Sequence, residues 1–140
     1  MRHRNSINTH RRQRDSELLK AYRQQVTEAE HVYLPEVLEH VVSMPTKRFW
    51  VSEERATIII KRMMRGDELE GMLPSNKEMY REILSRVRGY LENHPMDSLS
   101  EAVWQVVNGP APRFYMTADS ARVILHRARR LCKTDDSMAS

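Results

Sequence analysis

The sequence aligns with itself at a constant offset of 65. Residues Glu17 to Arg65 run beside Glu82 to Arg130 without a gap, and 14 of the 49 positions are identical. The identities include Leu34/Leu99, Val41-Val42/Val106-Val107, Pro45/Pro110, Arg48-Phe49/Arg113-Phe114, Ala56/Ala121, Ile59/Ile124 and Arg62/Arg127. Close exchanges such as Trp50/Tyr115, Val51/Met116 and Ser52/Thr117 extend the match. Self-similarity of this kind marks a supersecondary unit present twice. It constrains the fold strongly, because every structural assignment must hold at two places. A copy of 49 residues is near the lower limit for a unit that buries its own core. The copies are therefore expected to pack together as one domain.

Within each copy the apolar spacing is helical. Leu18, Leu19, Tyr22 and Val26 are matched by Ile83, Leu84, Val87 and Leu91. A second stripe, Leu34, Val37, Leu38, Val41 and Val42, recurs as Leu99, Ala102, Val103, Val106 and Val107. Pro45 and Pro110 end that helix and open a short aromatic stretch that suits an extended bridge. Ser52 and Thr117 are N-cap candidates for a third helix, whose apolar face is Ala56, Ile59, Ile60 and Met63, or Ala121, Ile124, Leu125 and Ala128. Gly66 suits a helix C-terminus, and Ser75 with Glu78 reads as a capping box before the second copy. The predicted fold class is all-α, a tandem duplication of a three-helix unit with about six helices and one extended aromatic bridge per copy. The predicted division is a basic flexible arm at 1–14, one helical repeat at 15–66, an acidic linker and the start of the next helix at 67–81, a second repeat at 82–131, and a flexible tail at 132–140. The expected core is Leu19, Leu38, Val41, Phe49, Ile59, Leu84, Val103, Val106, Phe114 and Ile124.

Composition narrows the function classes. Four Gly and six Pro are few for an all-β sandwich. The single cysteine, Cys132, forbids an internal disulfide and points to a reducing, cytoplasmic setting. No apolar run is long enough for a membrane span, and the basic N-terminus is not followed by the apolar stretch of a secretory signal. Arg2, Arg4, Arg11, Arg12 and Arg14 make the first 14 residues +5, whereas the whole chain is +4, so the body is close to neutral. The high pI belongs to the arm, with a second basic concentration at Arg122, Arg127, Arg129 and Arg130.

Catalytic signatures are missing from the sequence. The six histidines form no HExxH pair, and Glu36 with His40 falls short of the about four ligands a zinc site wants. No glycine-rich phosphate loop and no Gly-x-Ser-x-Gly or Ser-x-x-Lys motif occurs. The reading is a non-enzymatic protein with no cofactor, no metal and no recognised small-molecule site.

Two sets of residues are candidates for function. Arg2, Arg4, Arg11, Arg12, Arg14, Arg122, Arg127, Arg129 and Arg130 are candidate contacts to nucleic-acid phosphates. Arg48, Arg113, Trp50 and Tyr115 are either structural or ligand-binding. Phe49 and Trp50 cannot both face inward on an extended bridge. The second helix, bridge and third helix are helix-turn-helix-like, although a connection from Met44 to Val51 is longer than the usual three or four residues. The first expectation is a small DNA-binding accessory or regulatory protein that grips double-stranded DNA through backbone phosphates. The alternative is a helical protein–protein interaction module or self-associating adaptor.

The repeated Pro-x-x-Arg-Phe-aromatic-apolar-Ser/Thr motif, Pro45 to Ser52 and Pro110 to Thr117, resembles that of a family of small uncharacterised proteins from gut bacteria and their mobile elements. That resemblance covers most of the chain. It implies the duplicated helical architecture and a bacterial setting, and it carries over no catalytic or binding residue.

Overall fold

The computed structural model describes the backbone of residues 2–28 and 34–139, and the side chains of residues 10–28 and 34–128. Its elements are α1 (Arg2–Glu28), α2 (Leu34–Val42), α3 (Glu53–Met64), α4 (Pro74–Asn93), α5 (Leu99–Val107) and α6 (Ala118–Ala139). The fold is all-α. Among the described residues the β-type pairing is a single antiparallel bridge between Thr46 and Ala111. Also among them, no helix is long and apolar enough to cross a membrane.

Local chemistry explains most helix ends. The Ser52 hydroxyl accepts the Arg55 N–H at 3.1 Å, and Thr117 Oγ1 accepts the Ser120 N–H at 3.1 Å, so both act as N-caps. Ser98 caps α5 in the same way through the Glu101 N–H. Gly66 follows α3 with φ +100°, a left-handed conformation that favours glycine, and its N–H reaches the Met63 carbonyl at 3.0 Å. The capping box expected at Ser75 is not formed. Helix α4 starts one residue earlier at Pro74, which has no N–H to satisfy and a φ already suited to a first turn.

The stretches expected as arm and tail are helical in the structure. Helix α1 begins at Arg2, and the tail expected to be loose from 132 continues α6 to Ala139. No Gly or Pro precedes Pro35, and Arg, Gln and Glu are good helix formers. A helix nucleated in the core by Leu18, Leu19 and Tyr22 therefore propagates back through the polar residues before it.

Apolar residues divide into two cores. One joins Leu18, Leu19 and Tyr22 of α1, Val37, Leu38, Val41 and Val42 of α2, and Ala121, Ile124 and Leu125 of α6 around Phe114. The other joins Ala56, Ile59 and Ile60 of α3, Met79, Tyr80, Ile83 and Val87 of α4, and four residues of α5 around Phe49. Helix contacts divide the same way. α1, α2 and α6 touch one another, α3, α4 and α5 touch one another, and no helix of either set touches the other set among the described residues. Each three-helix unit thus takes two helices from one half of the chain and its third from the other half. The sequence reading assigned α3 to α1 and α2, and α6 to α4 and α5, and this assignment is corrected.

The exchange follows from the bridges. Residues 43–52 and 108–117 run past each other, and Thr46 and Ala111 exchange N–H···O bonds of 2.9 and 3.1 Å at the crossing. The Phe49 N–H binds the Val107 carbonyl at 3.0 Å, and the Phe114 N–H binds the Val42 carbonyl at 3.1 Å. An extended segment of this length reaches up to about 30 Å, enough to carry the next helix across to the opposite unit. Phe49 and Phe114 are buried at each end of the crossing, each contributing roughly 1.5–3 kcal/mol relative to exposure. Of the expected core residues, Leu84 alone is only half-buried, because Ile83 and Val87 take the inner face of α4.

Candidate basic groove

From His10 to Glu17 helix α1 carries no apolar side chain, so this stretch has no core face of its own. It lies along the first bridge, where Glu17 Oε1 accepts the Lys47 N–H at 2.9 Å. Helical spacing sorts its side chains into two rows. His10, Arg11 and Arg14 flank one side of Trp50, and Arg12, Ser16 and Lys20, at i, i+4 and i+8, flank the other. Trp50 therefore separates two clefts. The first, of about 380 Å³, adds Arg55, Asn76 and Tyr80 to its walls. The second, of about 550 Å³, adds Lys47, Arg48 and Asn108.

Charge is concentrated there. Arg11, Arg14 and Arg55 line the first cleft, and Arg12, Lys20, Lys47 and Arg48 line the second, against a single lining carboxylate, Glu17. Arg14 pairs with Asp15 at 3.0 Å outside the lining. Among the described residues, three buried side-chain polar atoms lack a hydrogen-bond partner: His10 Nδ1, Glu17 Oε2 and Trp50 Nε1. All three belong to residues of this groove. Burial, then the nearby Arg48 guanidinium, pushes the His10 pKa down, while Glu53 opposes the shift.

Arg48 is tied into the fold. It donates to the Phe49 carbonyl at 3.0 Å, the Val51 carbonyl at 2.8 Å, Asn108 Oδ1 at 3.1 Å and Glu53 Oε1 at 3.3 Å. Burial pushes the Glu53 carboxyl up, but its own backbone N–H at the start of α3, the Asn108 amide and Arg48 together hold it below the usual range. Arg113, at the matching position, pairs with Glu78 in a half-exposed setting and lies 4.9 Å from the Tyr115 ring centroid. Trp50 and Tyr115 also differ. Tyr115 has φ +57° and stacks on Phe49 at 6.0 Å, away from the clefts that Trp50 divides.

The sequence candidates are thus separated by the fold. Arg11, Arg12 and Arg14 reach the groove with Trp50 and Arg48, and Arg113 and Tyr115 do not. Arg122 lies with His126 and Tyr22 beside a hollow of about 240 Å³. Tyr22 is about 18 Å along α1 from His10, at 1.5 Å per residue. Arg127 is exposed on α6. The side chains of Arg2, Arg4, Arg129 and Arg130 lie outside the described residues. The helix-turn-helix-like pairing is not formed, since α2 and α3 make no contact. Lys20, Lys47, Arg55 and Tyr80 were missed by sequence reasoning. The i, i+4, i+8 spacing of Arg12, Ser16 and Lys20 was a readable signal for one of them. Arg55 and Tyr80 had none, because they arrive through the exchanged helix. Comparison of the chain with family models, curated proteins and solved structures gives no match.

Proposed function

We propose that this chain is a non-enzymatic nucleic-acid-binding protein that holds backbone phosphates in the groove along α1. The observation that carries the reading is the gathering of seven cationic side chains around one indole, with one carboxylate among the lining residues and two of the seven, Arg14 and Arg48, paired with Asp15 and Glu53. Cations so placed recognise phosphate irrespective of sequence, which fits an accessory or regulatory role. The single cysteine supports a cytoplasmic setting, and the motif resemblance supports a bacterial or mobile-element one, with the matched halves arising by duplication. A protein-interaction reading draws on the exposed apolar side chains Ile58, Trp104 and Val123. Leu34, Met64, Leu73 and Met96 are exposed as well, and apolar side chains spread over several elements are ordinary for a protein surface.

The test is a salt titration of nucleic-acid affinity for the full chain and for an Arg11→Gln, Arg12→Gln, Arg14→Gln variant. Three lost phosphate contacts should make the log–log slope shallower by up to about 2.7 on duplex DNA, or about 2.1 on single strands. Identical slopes, with helicity unchanged, would exclude the groove as the electrostatic contact.

A further inference from the structure

We infer that the nucleic acid taken by this groove is single-stranded, and that a base stacks on Trp50. The inference rests on the nucleic-acid reading and adds the form of the ligand. A duplex presents phosphates on a convex surface and hides the base faces in its own stack, so a protein reads it through helices that project into a groove. Here the cations line recesses instead. The consecutive helices α2 and α3 form no pair.

Both recesses fall within the roughly 300–1,000 Å³ range of sites that hold a small-molecule-sized group. A nucleotide is such a group, and only an unpaired strand can deliver one. The wall common to the two recesses is an indole, half-buried and with the Arg48 guanidinium carbon 5.8 Å from its ring centroid. A positively charged groove interrupted by an aromatic ring is the arrangement that binds single strands, the cations following the backbone while a base stacks.

Trp104→Phe leaves Trp50 as the sole tryptophan of the chain. Its emission is followed in the full chain during titration with a short oligothymidylate, with an abasic deoxyribose-phosphate oligomer of equal length, and with a duplex of equal length. Expected are quenching by oligothymidylate and an affinity roughly 5- to 150-fold above that of the abasic oligomer, the range that stacking one base supplies. Trp50→Tyr should keep most of that preference, and Trp50→Leu should lose it while retaining affinity for the abasic oligomer. Equal affinity for oligothymidylate and the abasic oligomer would overturn base stacking. Duplex binding as tight as single-strand binding, with Trp50 emission unchanged, would overturn this inference and leave the nucleic-acid reading standing. Binding to none of the three at low salt would overturn both.

Discussion

The matched arginines Arg48 and Arg113 occupy unlike environments, and truncating each should have unlike consequences. Arg48→Ala removes four hydrogen bonds, two of them to the backbone of its own bridge and one to Asn108 on the other bridge. Its side chain is 13% exposed and its partner Glu53 is 12% exposed, so solvent replaces little of what is lost. A hydrogen bond to a charged group contributes about 1.5–3 kcal/mol, and losses within one cluster do not add. Glu53 keeps the Asn108 amide at 3.1 Å, which limits the damage. The expected loss is about 2–4 kcal/mol. Arg113 and Glu78 are 43% and 51% exposed. A surface pair contributes about 0–1 kcal/mol and an exposed cation–π contact about 0.5–1, and since one guanidinium makes both they do not add, so Arg113→Ala should cost about 1 kcal/mol at most. Urea slopes for small proteins are about 1–3 kcal/mol/M. At a slope of about 2 kcal/mol/M, Arg48→Ala should lower the melt midpoint by about 1–2 M and Arg113→Ala by about 0.5 M or less. Arg48→Lys should resemble Arg48→Ala, because an ammonium cannot reproduce the fork of guanidinium bonds. Equal midpoints for the two alanine variants would refute the reasoning that the crossing is locked on one side.

Two other outcomes follow from the same packing. The Glu53 carboxyl is held below its usual range in the folded chain, so the folded state releases its proton more readily than the unfolded state. The stability it contributes is complete above the ordinary carboxylate pKa and is lost as pH falls through the lower folded value; the stability gap between the natural chain and Glu53→Gln should be largest near neutrality and shrink as pH falls below the ordinary carboxylate range, in urea melts across pH. Because α3, α4 and α5 are contiguous, residues 45–112 should fold as a monomer with a cooperative melt, whereas residues 1–66, whose α3 lacks α4 and α5, should not. Circular dichroism with sedimentation decides this, and the reverse result would sink the exchange of helices.

Periodicity made the helices legible. The stripes on α2 and α5 and the caps at Ser52 and Thr117 depend on neighbours close in sequence, and they stand where the spacing put them. The partner of each third helix was not legible. Ala56, Ile59 and Ile60 form the same apolar face whether they meet α1 and α2 or α4 and α5, and the matched halves make the two choices nearly equivalent in pattern. Position 14 shows a related limit. With no apolar residue from His10 to Glu17, the stretch reads as an arm in one dimension, although helix propagation from the core needs only good helix formers.

That choice of partner also builds the groove. The crossing bridge brings Trp50 beneath the polar stretch of α1, with Glu17 holding the Lys47 backbone. The same crossing delivers α3 to α4, so that Arg55 interacts with Tyr80 and both join the wall of the first cleft. With α3 folded back on its own half, Arg55 would be carried away from Asn76 and Tyr80, leaving Arg11 and Arg14 without the opposing wall. The seven cations are scattered from Arg11 to Arg55 in sequence and gather only because of this topology. In the second half, the residue matching Arg55 is Ser120, and that matching Lys47 is Pro112. The seven cations that would hold a phosphate chain thus lie, among the described residues, on the side of Trp50.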